Sequence, residues 1–354
     1  MNRSSAPRAL FVPASGASGS GEVYRALAIA QALRRIAPAV ETHLLLSHQA
    51  QIEPDSHVRV HRLTDTPARA GDEVLAVIDR LHPALAVFDG SGRTRQMAAV
   101  RQRGGRVVWI SNRPGRRRRA FWPQRMRHID LHLMVGHPPP RLGPFSRTLA
   151  RIGGVQLTTA RAIATPPGPL VAEIARIAER EPAVFVAGGG GQRQAGRPVT
   201  EIFHDAAERF HQQTGCPAVV IYGPLHPGTP RTHSIVPSLP ALPPAALAAL
   251  LARASLVVSG AGNMLSNQVL LARKPCVMTA TGGHDQPTRL ARYAEIGAVL
   301  AAPLDAEALA SGAIRLNRDA ALREQLIQGM DRLGLVDDTA KVARILAGLL
   351  QRGT

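Results

Sequence analysis

Cysteine is nearly absent from this chain of 354 residues: Cys216 and Cys276 are the two it has. Neither lies in a CxxC pair or at Cys/His spacing, which argues against a disulfide framework and against a zinc site. Aromatic residues make up 3% of the sequence, so its cores have to be built from Ala, Leu, Val and Ile. Apolar runs are short, and none approaches the roughly 20 residues that span a bilayer. The first apolar segment is too short for a signal peptide and leads straight into glycines, so the expected location is cytoplasmic. No GK[ST] follows a glycine loop, which excludes a P-loop, and no DxD pair closes a strand in the second half. Lysine is scarce too, with Lys274 and Lys341 set among 43 basic residues.

What is present points to a globular protein. An apolar fraction of 45% over this length allows two domains of ordinary size, each with its own core. The net charge of +18 is carried almost wholly by arginine, a skew that a GC-rich coding sequence produces by itself as a uniformly basic surface. The run "RPGRRRRAFWPQRMR" (113–127) is denser than that background. Arginines interleaved with Phe121 and Trp122 suit an anionic membrane surface or nucleic acid, and a solvated loop is the plain alternative. The expectation carried forward is membrane association at the inner face through Arg113 to Arg127, without nucleic acid as a partner.

Short β-branched or apolar runs alternate with helical stretches throughout, the pattern of parallel sheets covered by helices. Strands are expected at 8–13, 42–46, 84–88, 106–110 and 130–135, with "RIGGV" (151–155) closing a first unit. The Pro-rich "ATPPGPL" (164–170) reads as a connector. The pattern then restarts with "AVFVAGGGG" (183–191), "AVVIYG" (218–223), "SLVVSGAG" (255–262) and "PCVMTA" (275–280). Each half therefore opens with a strand feeding a glycine loop. We expect two Rossmann-like α/β domains, residues 1–157 and 158–354, facing each other across a cleft.

In such sheets ligands bind outside the carboxyl ends of the strands, where helix N-termini offer free N–H groups to a phosphate. The first loop, "GASGSG" (16–21), spaces its glycines as GxxGxG and is followed by no acidic residue suited to a nicotinamide ribose. The stretch "VVSGAGNMLSNQVLLARKP" (257–275) is more specific: a buried strand, a glycine turn and a helix starting near Asn263. The segment "TGGHDQPTRLARYAEIGA" (281–298) repeats the loop-to-helix pattern with polar groups at its mouth.

On these residues the chain resembles the nucleotide-sugar glycosyltransferases of the two-domain GT-B fold. It is similar in style to the N-acetylglucosaminyltransferase that makes lipid II, to the UDP-glycosyltransferases and to the related UDP-sugar hydrolases. "SLVVSGAG" matches a family strand of the type "DLVISRAG", "KP" (274–275) precedes the next strand, and "HDQ" (284–286) opens the following helix. "GSGEVYRALAIAQAL" is similar to the family's "GxGHVxRxLxLAxxL". The fold resemblance covers most of the chain; the specific matches are the loops at 16–25, 188–192 and 259–289.

The resemblance implies an N-terminal acceptor domain and a C-terminal domain for a nucleotide-sugar donor, UDP-linked, with no further cofactor and no metal. By position, Gly19, Gly21, Gly188, Gly189, Gly190, Gly191 and Gln192 would meet phosphates or sugar. The segment 234–242, with Leu239, would lie against the base. Gly262, Asn263, Met264 and Leu265 would face the diphosphate, and His284, Asp285 and Gln286 the donor sugar. Two positions depart from the family: Gln268 stands where a glutamate holds the ribose, and Glu22 where a histidine is often catalytic.

Transfer needs a stabilised diphosphate leaving group, which backbone amides can supply, and a base for the acceptor hydroxyl. Glu22 and Asp89 are the candidate bases, and a single displacement would invert the anomeric carbon. The acceptor expected is a hydroxyl of a lipid-linked or cell-envelope glycan. The alternatives are a nucleotide-sugar hydrolase or epimerase of the same fold, and a non-catalytic protein that binds a polyanion.

Overall fold

The computed structural model describes residues 6–15, 21–50, 52 and 57–351. It divides into two compact units, residues 1–163 with 337–354, and residues 164–336. Each is an α/β layer structure on a wholly parallel main sheet.

The first unit carries seven strands: β1 (Arg8–Pro13), β2 (Glu41–Ser47), β3 (Val58–Leu63), β4 (Leu85–Asp89), β5 (Arg106–Ser111), β6 (Leu131–Val135) and β7 (Gln156–Ala160). Their spatial order is β3-β2-β1-β4-β5-β6-β7, so the direction of winding reverses between β1 and β4. That reversal is where open α/β sheets place their ligands. The central strands are apolar on both faces, as burial between two helix layers requires. The helices are α1 (Gly21–Ile36), α2 (Gly71–Leu81), α3 (Thr94–Gln102), α4 (Pro114–Arg119), α5 (Pro123–Met126) and α6 (Pro144–Ile152). In α1, Val23, Ala26, Ile29, Ala30 and Leu33 recur at helical spacing and face the core. Glu22 in its first turn and Arg34 and Arg35 in its last complement the helix dipole.

The second unit begins with α7 (Ala172–Glu179) and β8 (Ala183–Val186). A small hairpin of β9 (Arg193–Gln194) and β10 (Arg197–Pro198) leads into α8 (Val199–Thr214). Then follow β11 (Ala218–Ile221), β12 (Ser238–Leu239), α9 (Pro244–Arg253), β13 (Val257–Gly260), α10 (Asn263–Leu271), β14 (Cys276–Thr279), α11 (Gln286–Glu295) and β15 (Leu300–Ala301). Helices α12 (Ala306–Arg318) and α13 (Ala320–Leu333), capped by Asp305 and Asp319, complete it. The sheet order is β12-β11-β8-β13-β14-β15.

Two expectations need correction. Residues 151–155 are not a strand: Arg151 and Ile152 end α6, Gly153 and Gly154 turn the chain, and β7 starts at Gln156. Gly154 takes a left-handed φ of 67°, which a strand cannot accommodate. The division between the units also differs from 157/158, which would cut β7. Helix α14 (Thr339–Gln351) returns to the first unit and packs Val342, Ala343, Leu346 and Leu350 into the same core as Val23 and Ile29 of α1. Two hydrogen bonds fix the return, Asp338 N–H to the Ala162 carbonyl at 3.0 Å and Arg161 N–H to the Asp338 side-chain Oδ2 at 2.7 Å. No helix among the described residues is long and apolar enough to cross a membrane.

Candidate functional site

In the second unit β8, β13 and β14 lie side by side, so the loops leaving their carboxyl ends are neighbours. The loop after β8 is held down from one flank. A Cβ on Gly190 (φ 84°) would come within 2.2 Å of the Tyr222 carbonyl oxygen, and Leu225 N–H bonds Gly189 O at 2.8 Å. Gly190 is thus demanded by the protein's own packing. At Gly188 (φ 108°) the nearest neighbour of a Cβ is Leu265 Cδ2, at 3.8 Å, on α10. Gly191 lies against Leu225.

Helix α10 starts beside that loop. Its N-cap is Gly262, which has no side chain to cap the first N–H groups, and Asn263, Met264 and Leu265 form the first turn, half-buried. A Cβ built on Gly262 meets nothing within 4 Å, and its φ of −64° suits any residue. Ser259 Oγ on β13 and Gln192 Oε1 in the loop after β8 are buried with no hydrogen-bond partner in the structure. N–H groups at a positive helix end that no side chain caps make an anion site chemically apt here.

The loop after β14 closes the group. Gln286 Oε1 accepts from Thr281 N–H at 2.6 Å and from Thr281 Oγ1 at 3.2 Å, and Gly282 lies 3.6 Å from Gln192 Cγ, measured from an ideal Cβ. Asp285 pairs with Arg289, whose Nη1 donates to Ala261 O at 2.7 Å. His284 is exposed. The fold therefore brings Gly188 to Gln192, Gly262 to Leu265 and His284 to Gln286 together, but Asp285 and Gln286 also brace the loops. Arg289, the cation of the group, was not picked out from the sequence; its signal was the four-residue spacing from Asp285.

Two further residues expected at the donor are engaged within the protein. Leu239 is a buried residue of β12 beyond β11, and its carbonyl accepts from Tyr222 N–H at 3.0 Å. The Gln268 amide exchanges two bonds with the Thr165 backbone, accepting at 3.1 Å and donating at 3.0 Å. It pins the connector through both polar atoms of its side chain.

In the first unit a charged cluster occupies the carboxyl ends of β4 and β5 and the start of α1. Arg25 and Asp89, each 1% exposed, form a two-pronged pair, Nε to Oδ2 at 2.6 Å and Nη2 to Oδ1 at 2.8 Å. Glu22 Oε1 accepts from Arg116 Nη1 at 2.6 Å and lies 4.0 Å from Arg25 Nη2. Arg116 also donates to Asn112 Oδ1 at 3.2 Å. A Cβ on Gly90 (φ 66°) would stand 2.2 Å from Arg116 Nη1, so glycine after Asp89 makes room for this guanidinium. Gly21 is the half-buried first residue of α1, while Gly19 lies outside the described residues.

The two carboxyls titrate in opposite directions. Burial alone would raise Glu22, but the charges of Arg25 and Arg116 outweigh it and hold the carboxyl below its ordinary value. For Asp89 complete burial wins over the pull of Arg25 and pushes the carboxyl up. Glu22 keeps some exposure in its side chain, 15% against 2% for Asp89. Asp89 spends both oxygens on Arg25.

The arginine run is not a uniform surface loop. It forms α4 and α5, with Arg116 folded onto Glu22 and Arg125 buried over the Trp109 ring at 4.7 Å. Arg118, Arg119 and Arg127 remain exposed. Among the described residues no three His, Cys, Asp or Glu side chains gather as a metal site.

No protein-family model matches the sequence, and no curated protein matches it. Solved structures do. The chain is similar to the Phytolacca americana UGT2 solved with UDP-2-fluoro-glucose and pterostilbene, at 12% identity and a TM-score of 0.65, covering 98% of this chain and 100% of that one. It is similar to the glycosyltransferase SnogD from Streptomyces nogalater, at 17% identity and a TM-score of 0.62, covering 98% and 99%. It is also similar to a protein from Listeria monocytogenes described as a putative UDP-N-acetylglucosamine 2-epimerase, at 12% identity and a TM-score of 0.61, covering 98% and 96%. The chain has the fold of the GT-B nucleotide-sugar glycosyltransferases.

Proposed function

We propose that this chain is an inverting, metal-independent glycosyltransferase that moves a sugar from a UDP-linked donor to an acceptor hydroxyl of a lipid-linked or cell-envelope glycan. The observation that carries the reading is the convergence of three loops on the uncapped N-terminus of α10, in a fold shared with UDP-sugar-using proteins. The donor diphosphate would lie against the N–H groups of the first turn of α10, with Gly188 and Gly262 leaving room for it. Those amides and the helix dipole would take up the charge that develops on the leaving group.

In the reaction the acceptor oxygen bonds to the anomeric carbon from the face opposite the diphosphate. The bond from that carbon to the phosphate oxygen breaks, and its electron pair leaves with the nucleoside diphosphate. The hydroxyl proton passes to Glu22, which Arg116, itself held by Asn112, would orient. Asp89 acts one step back, holding Arg25 in place beside Glu22.

A second reading, an epimerase, is favoured by the likeness to the Listeria protein, and a hydrolase of the same fold is the further alternative. Incubating the chain with UDP-sugars, with and without glycan acceptors and chelator, and following UDP release and the product anomer by proton NMR separates the cases. Transfer predicts acceptor-dependent UDP release, an inverted linkage and no effect of chelator. Acceptor-independent free sugar would mean hydrolysis, and an isomerised sugar with no acceptor consumed would mean epimerisation.

A further inference from the structure

The basic residues are unevenly placed. Residues 90–172 contain 16 of the 43 basic side chains but one of the 25 acidic ones, Asp130. The rest of the chain, with 27 basic and 24 acidic residues, is nearly balanced. Asp130 is itself consumed by Arg101 and Arg106. A compositional bias would spread its charge over the whole chain, so this segregation has another cause.

Among the described residues, the same segment holds the most exposed large apolar side chains. On α6, Phe145 is 76% exposed and Ile152 is 78% exposed, seven residues and two helical turns apart on one face. By helical spacing exposed Arg151 lies about 100–120° around α6 from that face and exposed Arg147 about 140–160°, and exposed Arg141 precedes the helix. On the opposite face Ala150 is buried in a core shared with Ala120 and Ile129. The end of α6 sits against α5, where a Cβ on Gly153 would lie 2.9 Å from Met126 Cε. Trp122, between α4 and α5, is 56% exposed.

We propose that α4, α5 and α6 form a docking face for an anionic lipid surface. Phe145, Ile152 and Trp122 enter the headgroup region, and Arg118, Arg119, Arg127, Arg141, Arg147 and Arg151 meet lipid phosphates. Exposed apolar residues and exposed arginines on the same three helices, with no acidic residue among them, match the apolar and the anionic chemistry of that interface. A nucleic-acid backbone would use the arginines and leave Ile152 without a partner. The face stands independently of the glycosyl-transfer reading.

The test is co-sedimentation of the full chain with vesicles of phosphatidylcholine alone or mixed with phosphatidylglycerol. Each arginine at an anionic surface strengthens binding roughly fivefold. The wild type should therefore bind the mixed vesicles at least tenfold more tightly, with loss at high salt. The pairs Phe145→Ser/Ile152→Ser and Arg147→Gln/Arg151→Gln alter exposed positions only; each should weaken binding tenfold or more without changing the melting temperature. Brominated acyl chains should quench Trp122, and Trp122→Phe should abolish that quenching. Equal binding to neutral vesicles, or unchanged binding in the apolar pair, would overturn the proposal. So would a dimer that the apolar pair disperses, which would give the face to a second copy of this chain. Tighter binding to DNA than to vesicles, insensitive to the apolar pair, would also refute it.

Discussion

Replacing Arg25 by methionine removes the cation from a pair that is almost wholly inside the first unit. Asp89 then keeps a buried carboxyl with two oxygens that had accepted at 2.6 and 2.8 Å and now accept from no guanidinium. Breaking a buried pair from one side costs about 3–5 kcal/mol. In a unit of this size each kcal/mol lowers the melting temperature by about 2–4 °C, which puts the expected fall at roughly 6–20 °C. Both tryptophans, Trp109 and Trp122, belong to this unit, so intrinsic fluorescence during heating reports its unfolding alone. Arg25→Met/Asp89→Leu removes both charges and should recover most of the loss, since buried pairs are often replaceable by apolar residues of similar volume. Arg25→Met melting within about 2 °C of the wild type would refute the reasoning. So would Asp89→Asn that melts normally yet abolishes turnover, because Asp89 would then be the base and not the anchor of Arg25.

Glu22→Gln keeps the bond to Arg116 but not the basicity, and should cost about 100-fold or more in turnover with nucleotide affinity unchanged. Because Arg25 and Arg116 hold the Glu22 carboxyl low, the wild-type rate should stay flat from neutral pH to below the ordinary glutamate range. Gln268→Ala leaves the Thr165 N–H and carbonyl without their partner and should cost the second unit about 1–3 kcal/mol. A tenfold loss of nucleotide affinity at unchanged stability would make Gln268 a donor ligand instead. Cys276 is fully buried and its thiol is pushed up to about 12, so iodoacetamide at mildly alkaline pH should modify it only after unfolding. His132 is buried and pushed down to about 3, so the folded chain stays neutral there while the unfolded chain takes up a proton below about 6.5. Stability of the first unit should therefore fall on acidification, by about 2 kcal/mol between pH 7 and pH 5 from this group, and less in His132→Asn.

Much of this fold was legible because parallel strands buried on both faces announce themselves as apolar runs. Strands β1, β4, β5, β6, β8, β11, β13 and β14 lie within a residue or two of their expected positions, and α10 begins at the expected Asn263. Strand β3, "VRVHRL", escaped because an edge strand is half solvated and carries arginine and histidine in place of a continuous apolar run. The return of α14 to the first unit escaped for another reason: its apolar stripe says that it packs, but nothing local says against what. At the candidate site the glycine loops and the α10 terminus could be read from strand–turn–helix patterns. The ties between Arg116 and Glu22, 94 residues apart, and between Gln268 and Thr165, 103 apart, are products of tertiary packing. Gly90 was the visible trace of the first, an unexplained glycine after a buried aspartate.

The central claim is that the second unit holds a nucleoside diphosphate against the start of α10. Calorimetric titration of UDP into the wild type and into Gly262→Leu tests it most directly. An added Cβ meets no protein atom within 4 Å, so the variant should fold and melt like the wild type. The account predicts saturable one-to-one binding of UDP by the wild type and affinity at least 100-fold weaker in the variant, about 2.7 kcal/mol or more. Equal affinity in the two folded proteins would contradict it.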